Sequence, residues 1–161
     1  MVEMNIIHRD LKLENILVVS TNERSDGAIC KISDFGTARE TDISSTLSMT
    51  QSASMTMTSN IGTPLYMAPE ILCGQSHYSM KADVYSYGIV LCGLWNQQTP
   101  YSDMSFSNAS ELFRSIVESN VRPSLKPDCP QPYIQLVSAC LQSNPHSRPS
   151  FDEICKNVFD A

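Results

Sequence analysis

Basic clusters, paired cysteines and long apolar runs are all missing from this 161-residue sequence. Eleven Lys and Arg face seventeen Asp and Glu, for a formal net charge of −6. Without a Lys/Arg stripe the chain is a poor match for nucleic acid. The longest strongly apolar stretch, "YGIVLCGLW" at residues 87–95, falls far short of the roughly 20 residues that cross a bilayer. No charged-then-apolar leader opens the chain, so nothing in it points to secretion. The six cysteines (Cys30, Cys73, Cys92, Cys129, Cys140 and Cys155) form no C-x-x-C pair and no Cys/His metal spacing. They read as free thiols in a reducing, cytoplasmic setting, with Cys92 and Cys140 in apolar helical surroundings.

What is present suits one domain. Hydrophobic residues make up 42% of the chain and charged residues 17%, enough apolar material for a core. Residues 16–20 and 28–33 alternate in the manner of two strands around the polar turn "TNERSDG", which predicts a hairpin. Between residues 41 and 59, eleven of nineteen positions are Ser or Thr, with no helical or strand period, so this run reads as a loop. From Pro64 onward the pattern is helical. "YSMKADVYSYGIVLCGLW" is apolar on nearly every side, as a buried central helix is. "SNASELF" and "PSFDEIC" each carry a capping pattern, Asn108 with Glu111 and Ser150 with Glu153. "PYIQLVSACLQ" is amphipathic with Pro at its front edge.

One short stretch near the start carries chemistry. "HRDLKLEN", residues 8–15, sets Asp10, Lys12 and Asn15 within six positions of one another. Farther on, Asp34 precedes Phe35 and Gly36 at the end of the second predicted strand. Two carboxylates and an amide offer hard oxygen ligands, and Mg²⁺ prefers one or two carboxylates plus phosphate oxygens. A lysine beside them can neutralise charge that develops on a transferring phosphoryl group. A carboxylate left free of metal, such as Asp10, can accept a hydroxyl proton. Together these are the parts that phosphoryl transfer requires.

The order of these pieces resembles the C-terminal lobe of a eukaryotic protein kinase. His8-Arg9-Asp10-Leu11 with Asn15 is similar to the catalytic loop, Asp34-Phe35-Gly36 to the metal-binding triplet, and Ala68-Pro69-Glu70 to the end of the activation segment. The resemblance implies a partial protein kinase domain over residues 1–161. The fold would be mainly α-helical with a small β-hairpin near the N-terminus and no N-terminal β lobe. Residues 34–70 would form the activation segment, with 41–59 as an insertion. It implies Asp10 as the catalytic base, Asn15 and Asp34 as ligands of Mg²⁺ bridging ATP phosphates, and Leu17 as the floor under adenine. Lys12 would contact the γ-phosphate. With Thr63, which would bond the catalytic Asp and Lys, it marks the serine/threonine type. "KADVYSYGIVL" and "NPHSRPSF" are most similar to the tyrosine-kinase-like group.

Other roles follow from the same resemblance. His8 and Phe35 would be the lower members of the hydrophobic stack that joins the two lobes, Phe35 being a core residue first. Asp83 would hold the backbone of the catalytic loop, and Glu70 and Arg148 would form a buried ion pair. Arg9 would pair with a phosphate on the activation segment, at Ser59 or its neighbour Thr58. His77 and His146 read as surface residues, and Trp95 and Tyr101 as packing. No G-x-G-x-x-G and no V-A-I-K equivalent occurs in these 161 residues. The expectation is therefore a fragment of an intracellular signalling kinase, inactive alone, with the missing lobe or upstream domains and Ser/Thr-bearing proteins as partners. The alternative is a non-catalytic, kinase-like module that docks other proteins. Replacing both Thr58 and Ser59 by Ala is expected to lower activity of the full-length protein. Full activity of that double variant, with neither residue phosphorylated in the active parent, would contradict the regulatory role.

Overall fold

The computed structural model describes residues 6–22, 27–40, 63–74 and 78–159. Two small antiparallel sheets lie ahead of a helical body. Strands β1 (Ile6–Ile7) and β4 (Arg39–Glu40) pair across the first sheet, Ile6 opposite Glu40 and Ile7 opposite Arg39. Strands β2 (Ile16–Asn22) and β3 (Gly27–Ile32) form the hairpin, with an irregularity in register between Val18 and Ser20. The hairpin extends beyond its alternating residues, through Thr21 opposite Ala28 and Asn22 opposite Gly27. Once a register is set, backbone pairing runs on into polar residues, past the alternating positions.

Five helices follow: α1 (Pro69–Leu72), α2 (Met80–Asn96), α3 (Ala109–Glu118), α4 (Gln131–Cys140) and α5 (Phe151–Phe159). Helix α2 is the axis of the body. Ala82 through Ser86 and Gly88 through Gly93 are all buried, so it presents no solvent stripe over most of its length. Its neighbours include α4 and the turn Thr63–Tyr66, and Leu112 and Ile116 of α3 join the same apolar cluster. Cys92 and Cys140 are buried within this body, together with Cys129, and all six thiols are free. The two predicted helix starts form as capped ends. Asn108 Oδ1 accepts the Glu111 amide at 3.0 Å, while the Glu111 carboxylate reaches back to the amide of Ser107 at 2.6 Å. Ser150 and Glu153 make the reciprocal pair at 3.2 and 2.7 Å. Those amides hold both glutamates below the ordinary carboxylate pKa.

Two contacts on α2 place the loop at residues 8–15. Near its start, the buried carboxylate of Asp83 accepts the amide of His8 at 2.6 Å and that of Arg9 at 3.0 Å. Near its end, Gly93 lies so close to Leu13 that a Cβ would stand 2.8 Å from Leu13 Cδ1. A third tie fixes α1 to the C-terminal part. Arg148, with 2% of its surface exposed, donates both Nη atoms to Glu70, at 2.7 and 2.8 Å. Its remaining N–H groups reach the carbonyls of Gln142, Lys81 and Ser143, and its guanidinium lies 5.0 Å from the centre of the Tyr85 ring.

Two substitutions test this framework. A Cβ at Gly88 would meet Leu141 Cδ2 at 2.8 Å and Cys140 Cβ at 2.9 Å. Gly88→Ala gains at most about 1 kcal/mol of helix propensity but overpacks the α2–α4 contact by about 1–3 kcal/mol, so a net loss is expected by urea unfolding. Asp83→Ala leaves the buried amide of His8 without its acceptor, at about 1–3 kcal/mol, and the half-buried amide of Arg9 at less. It is expected to lower the urea midpoint and to speed hydrogen exchange at His8 and Arg9, while Asp83→Asn restores part of both. Unchanged exchange at those two amides would show that the loop is held by other means.

Candidate active site

Arg9, at the head of the loop, is in the left-handed region at φ 71°. That conformation costs a non-glycine residue about 1–2 kcal/mol, and here both of its peptide groups are held. Its amide donates to Asp83, and its carbonyl accepts the Tyr78 hydroxyl at 3.3 Å. The Tyr78 ring also lies 5.4 Å from the Arg9 guanidinium carbon. Burial, and then the charge of Asp83, raise the Tyr78 phenol pKa, so it stays protonated as a donor.

The strained residue turns the chain so that Asp10, Lys12 and Asn15 converge. Lys12 Nζ lies 2.7 Å from Asp10 Oδ2. The Asn15 amide nitrogen donates to the Asp10 carbonyl at 2.7 Å and to Asp10 Oδ2 at 3.1 Å. The helical turn Leu13–Asn15, closed by the Asn15 amide on the Lys12 carbonyl at 3.1 Å, brings Asn15 back over Asp10. The Lys12 cation and the Asn15 amide thus meet the same carboxylate oxygen of Asp10, Oδ2. A carboxylate held this way accepts hydrogen bonds in a set direction, as a group that orients a hydroxyl must.

Asp34 stands at the end of β3, also left-handed at φ 60°. Asp tolerates that region because its short polar side chain can bond locally, and its Oδ1 accepts the Gly36 amide at 3.4 Å. The carboxylate is otherwise exposed. The Asn15 carbonyl accepts both the amide and the hydroxyl of Ser33, at 2.8 and 3.1 Å, so the loop and the Asp34 segment are joined backbone to backbone. With the Asn15 nitrogen committed to Asp10, its oxygen is the atom left for another partner. Asn15 and Asp34 together offer hard oxygen ligands, which fit Mg²⁺ and suit softer metals poorly. Among the described residues no group of three or more His, Cys, Asp or Glu is placed to hold a metal.

His8 is buried and joins the two segments. Its Nδ1 accepts the Asp10 amide at 3.3 Å, which leaves Nε2 as donor to the Ser33 carbonyl at 2.9 Å. Its own carbonyl accepts the Thr37 hydroxyl at 2.9 Å. Phe35 packs edge-on against the His8 ring with centroids 5.0 Å apart. Phe35 is nevertheless 54% exposed, so the expectation of a core residue is corrected. Its ring stands beyond β3, where the His8 imidazole covers one edge and little else of the described chain reaches it. Leu17 of β2 is likewise exposed, at 52%. Thr63 opens the turn Thr63–Tyr66, its side chain lying outside the described residues, as do Thr58, Ser59 and His77. Trp95 tilts against Tyr133 at 5.3 Å, and Tyr101 is buried at φ 64°.

Sequence reasoning did not anticipate the parts played by Ser33, Thr37 and Tyr78. Ser33 and Thr37 flank the Asp-Phe-Gly triplet, a weak signal for hydrogen bonds to the neighbouring loop. Tyr78 lies about seventy positions from Arg9 and left no signal at all.

With this geometry in view, similarity to known proteins is informative. The sequence profile of the protein kinase domain matches residues 1–159. A probable LIM domain-containing serine/threonine-protein kinase of Dictyostelium discoideum is 36% identical over 155 residues, which is 96% of this chain and 21% of that protein. A probable serine/threonine-protein kinase of the same organism is 39% identical over 150 residues, 93% of this chain and 10% of the relative. The dual specificity protein kinase shkA, also from Dictyostelium discoideum, is 36% identical over 152 residues, 94% and 26% respectively. The chain therefore spans about a quarter or less of each of these relatives. The chain belongs to the protein kinase domain family.

Proposed function

We propose that this chain is the C-terminal lobe of a serine/threonine protein kinase, which transfers the γ-phosphate of ATP to Ser or Thr hydroxyls of protein substrates in intracellular, cytoplasmic signalling. The observation that carries the reading is the Asp10 carboxylate, one oxygen of which is held by both Lys12 and the Asn15 amide, on a loop pinned to Asp83. In this reading Asp10 orients the acceptor hydroxyl and takes its proton as the new oxygen–phosphorus bond forms and the bond to the departing ADP breaks. Lys12, already 2.7 Å from Asp10, carries its positive charge to the transferring phosphoryl group, where charge neutralisation matters most. The oxygens of Asn15 and Asp34 are the residues that would hold Mg²⁺, which when bound with ATP neutralises and orients the phosphates. Leu17, exposed on β2, offers an apolar surface to the adenine ring.

Residues 34–70 act in this reading as the activation segment. In the same reading the Arg9 guanidinium would pair with phosphate added at Ser59 or Thr58, and Thr63 would bond Asp10 and Lys12. The serine/threonine restriction rests on Lys12 and Thr63 and on the names of relatives, one of which is called dual specificity. The glycine-rich loop and strand lysine of the family have no counterpart in these 161 residues, so the chain by itself is expected to transfer no phosphate.

The test uses the full-length protein. Asp10→Asn is expected to lower kcat about 10²–10⁴-fold, the range that a general base contributes, with KM for ATP little changed. Asp34→Asn should instead raise the Mg²⁺ concentration needed for half-maximal rate. A full-length parent that binds no Mg·ATP and transfers no phosphate would overturn the catalytic reading in favour of a docking module.

A further inference from the structure

A concavity lies away from Asp10, against the buried end of the Glu70–Arg148 tie. Its volume is about 530 Å³, and its walls come from Lys81 at the start of α2, Ala139 of α4, residues 146–149, and Glu153 and Lys156 of α5. In a chain with a net charge of −6, three nitrogen-bearing side chains converge here, Lys81, His146 and Lys156. Arg148 also lines the space, but its guanidinium is turned inward onto Glu70 and three carbonyls. Among the described residues the single carboxylate in the wall is Glu153, whose Oε2 is taken by the amide and hydroxyl of Ser150 at 2.7 and 2.9 Å. Two ammonium groups thus oppose one carboxylate that is already engaged in capping α5.

We propose that this cleft is a non-catalytic site for a phosphorylated serine or threonine side chain of a peptide. Several features specify that ligand. Lys81 Nζ donates to the Arg148 carbonyl, which anchors the ammonium at the cleft wall and leaves two N–H groups for an anion. His146, Ser147 and Lys156 add a ring N–H, a hydroxyl and a mobile cation around the same space. Glu153 repels a doubly charged phosphate more than a carboxylate, but two ammonium groups against one carboxylate leave the wall net positive, so the doubly charged ligand is held more strongly. The difference in attraction therefore decides in favour of phosphate. The volume lies in the range of pockets that hold drug-sized ligands, roughly 300–1,000 Å³, far more than a bare phosphate fills. Ala139 and Pro149 give the remaining wall an apolar character suited to the residues flanking a phosphorylated side chain. The site does not depend on phosphoryl transfer at Asp10, and its failure leaves that reading untouched.

The experiment measures fluorescence anisotropy of a labelled phosphoserine peptide with the full-length protein, against the same peptide unphosphorylated. Saturable binding of the phosphorylated form alone is expected. Lys156→Gln and His146→Gln, both at exposed positions, should each weaken it roughly tenfold, the loss expected for one charge-assisted hydrogen bond. Lys126→Gln, outside the cleft, should leave it unchanged, and thermal unfolding shows that each variant is folded. Equal binding of the unphosphorylated peptide, or affinity unaffected by both cleft variants, would overturn the proposal. Inorganic phosphate that displaces the peptide at equal concentration would overturn the peptide assignment and leave a site for the free anion.

Discussion

Everything at the candidate active site depends on one buried carboxylate. Asp83 sits in the first turn of the central helix and accepts two consecutive amides of the loop, those of His8 and Arg9. Removing a charge from water is costly, and burial raises the Asp83 pKa above its ordinary 3.8 although the two amides lower it. The sign of its effect on stability follows. Between the unfolded value and the raised folded one, the folded chain binds more proton than the unfolded chain. The stability this group contributes therefore falls as pH rises through that window. Asp83 is thus poor material for stability at neutral pH and good material for geometry. It fixes Arg9 in a strained conformation, which turns Asp10 toward Lys12 and Asn15.

The Glu70–Arg148 pair makes the same trade in the other half of the chain. Both partners are buried and the contact is two-pronged, so desolvation offsets much of the Coulomb attraction. What the pair secures is connection. Arg148 reaches carbonyls of residues 81, 142 and 143 while gripping the first turn of α1. It also shares the Tyr85 ring with Arg122, whose guanidinium lies 5.2 Å away. Segments more than sixty positions apart are held by a single side chain, and either partner alone would be an uncompensated buried charge.

Much of this was legible locally. The hairpin followed from alternation and an Asp-Gly turn, the central helix from its apolar residues on every side, and two helix starts from their caps. The nearness of Asp10, Lys12 and Asn15 was readable too, because residues two and five positions apart on a short loop have few ways to separate. Phe35 was not legible. Its reading as core came from the family resemblance, yet whether the ring is covered depends on what stands opposite it in space. Ser33, Thr37 and Tyr78 escaped for a related reason: their hydrogen bonds go to backbone groups, which carry no residue identity for a sequence pattern to match.

The sequence by itself determined the chemical inventory, namely which carboxylates, amide and lysine exist, in what order, and which stretches form strand or helix. Those are properties of neighbouring residues, fixed by side-chain chemistry and periodicity. Only the tertiary structure decided which groups were directed and which were engaged. It joined Asp83 to His8 and Arg9 across 75 and 74 positions, set Tyr78 on the Arg9 carbonyl, and turned Arg148 inward while leaving Lys81 and Lys156 facing a cleft. Such pairings are chosen by packing the whole chain around α2, because a buried polar group must find its partner wherever the fold brings one within reach.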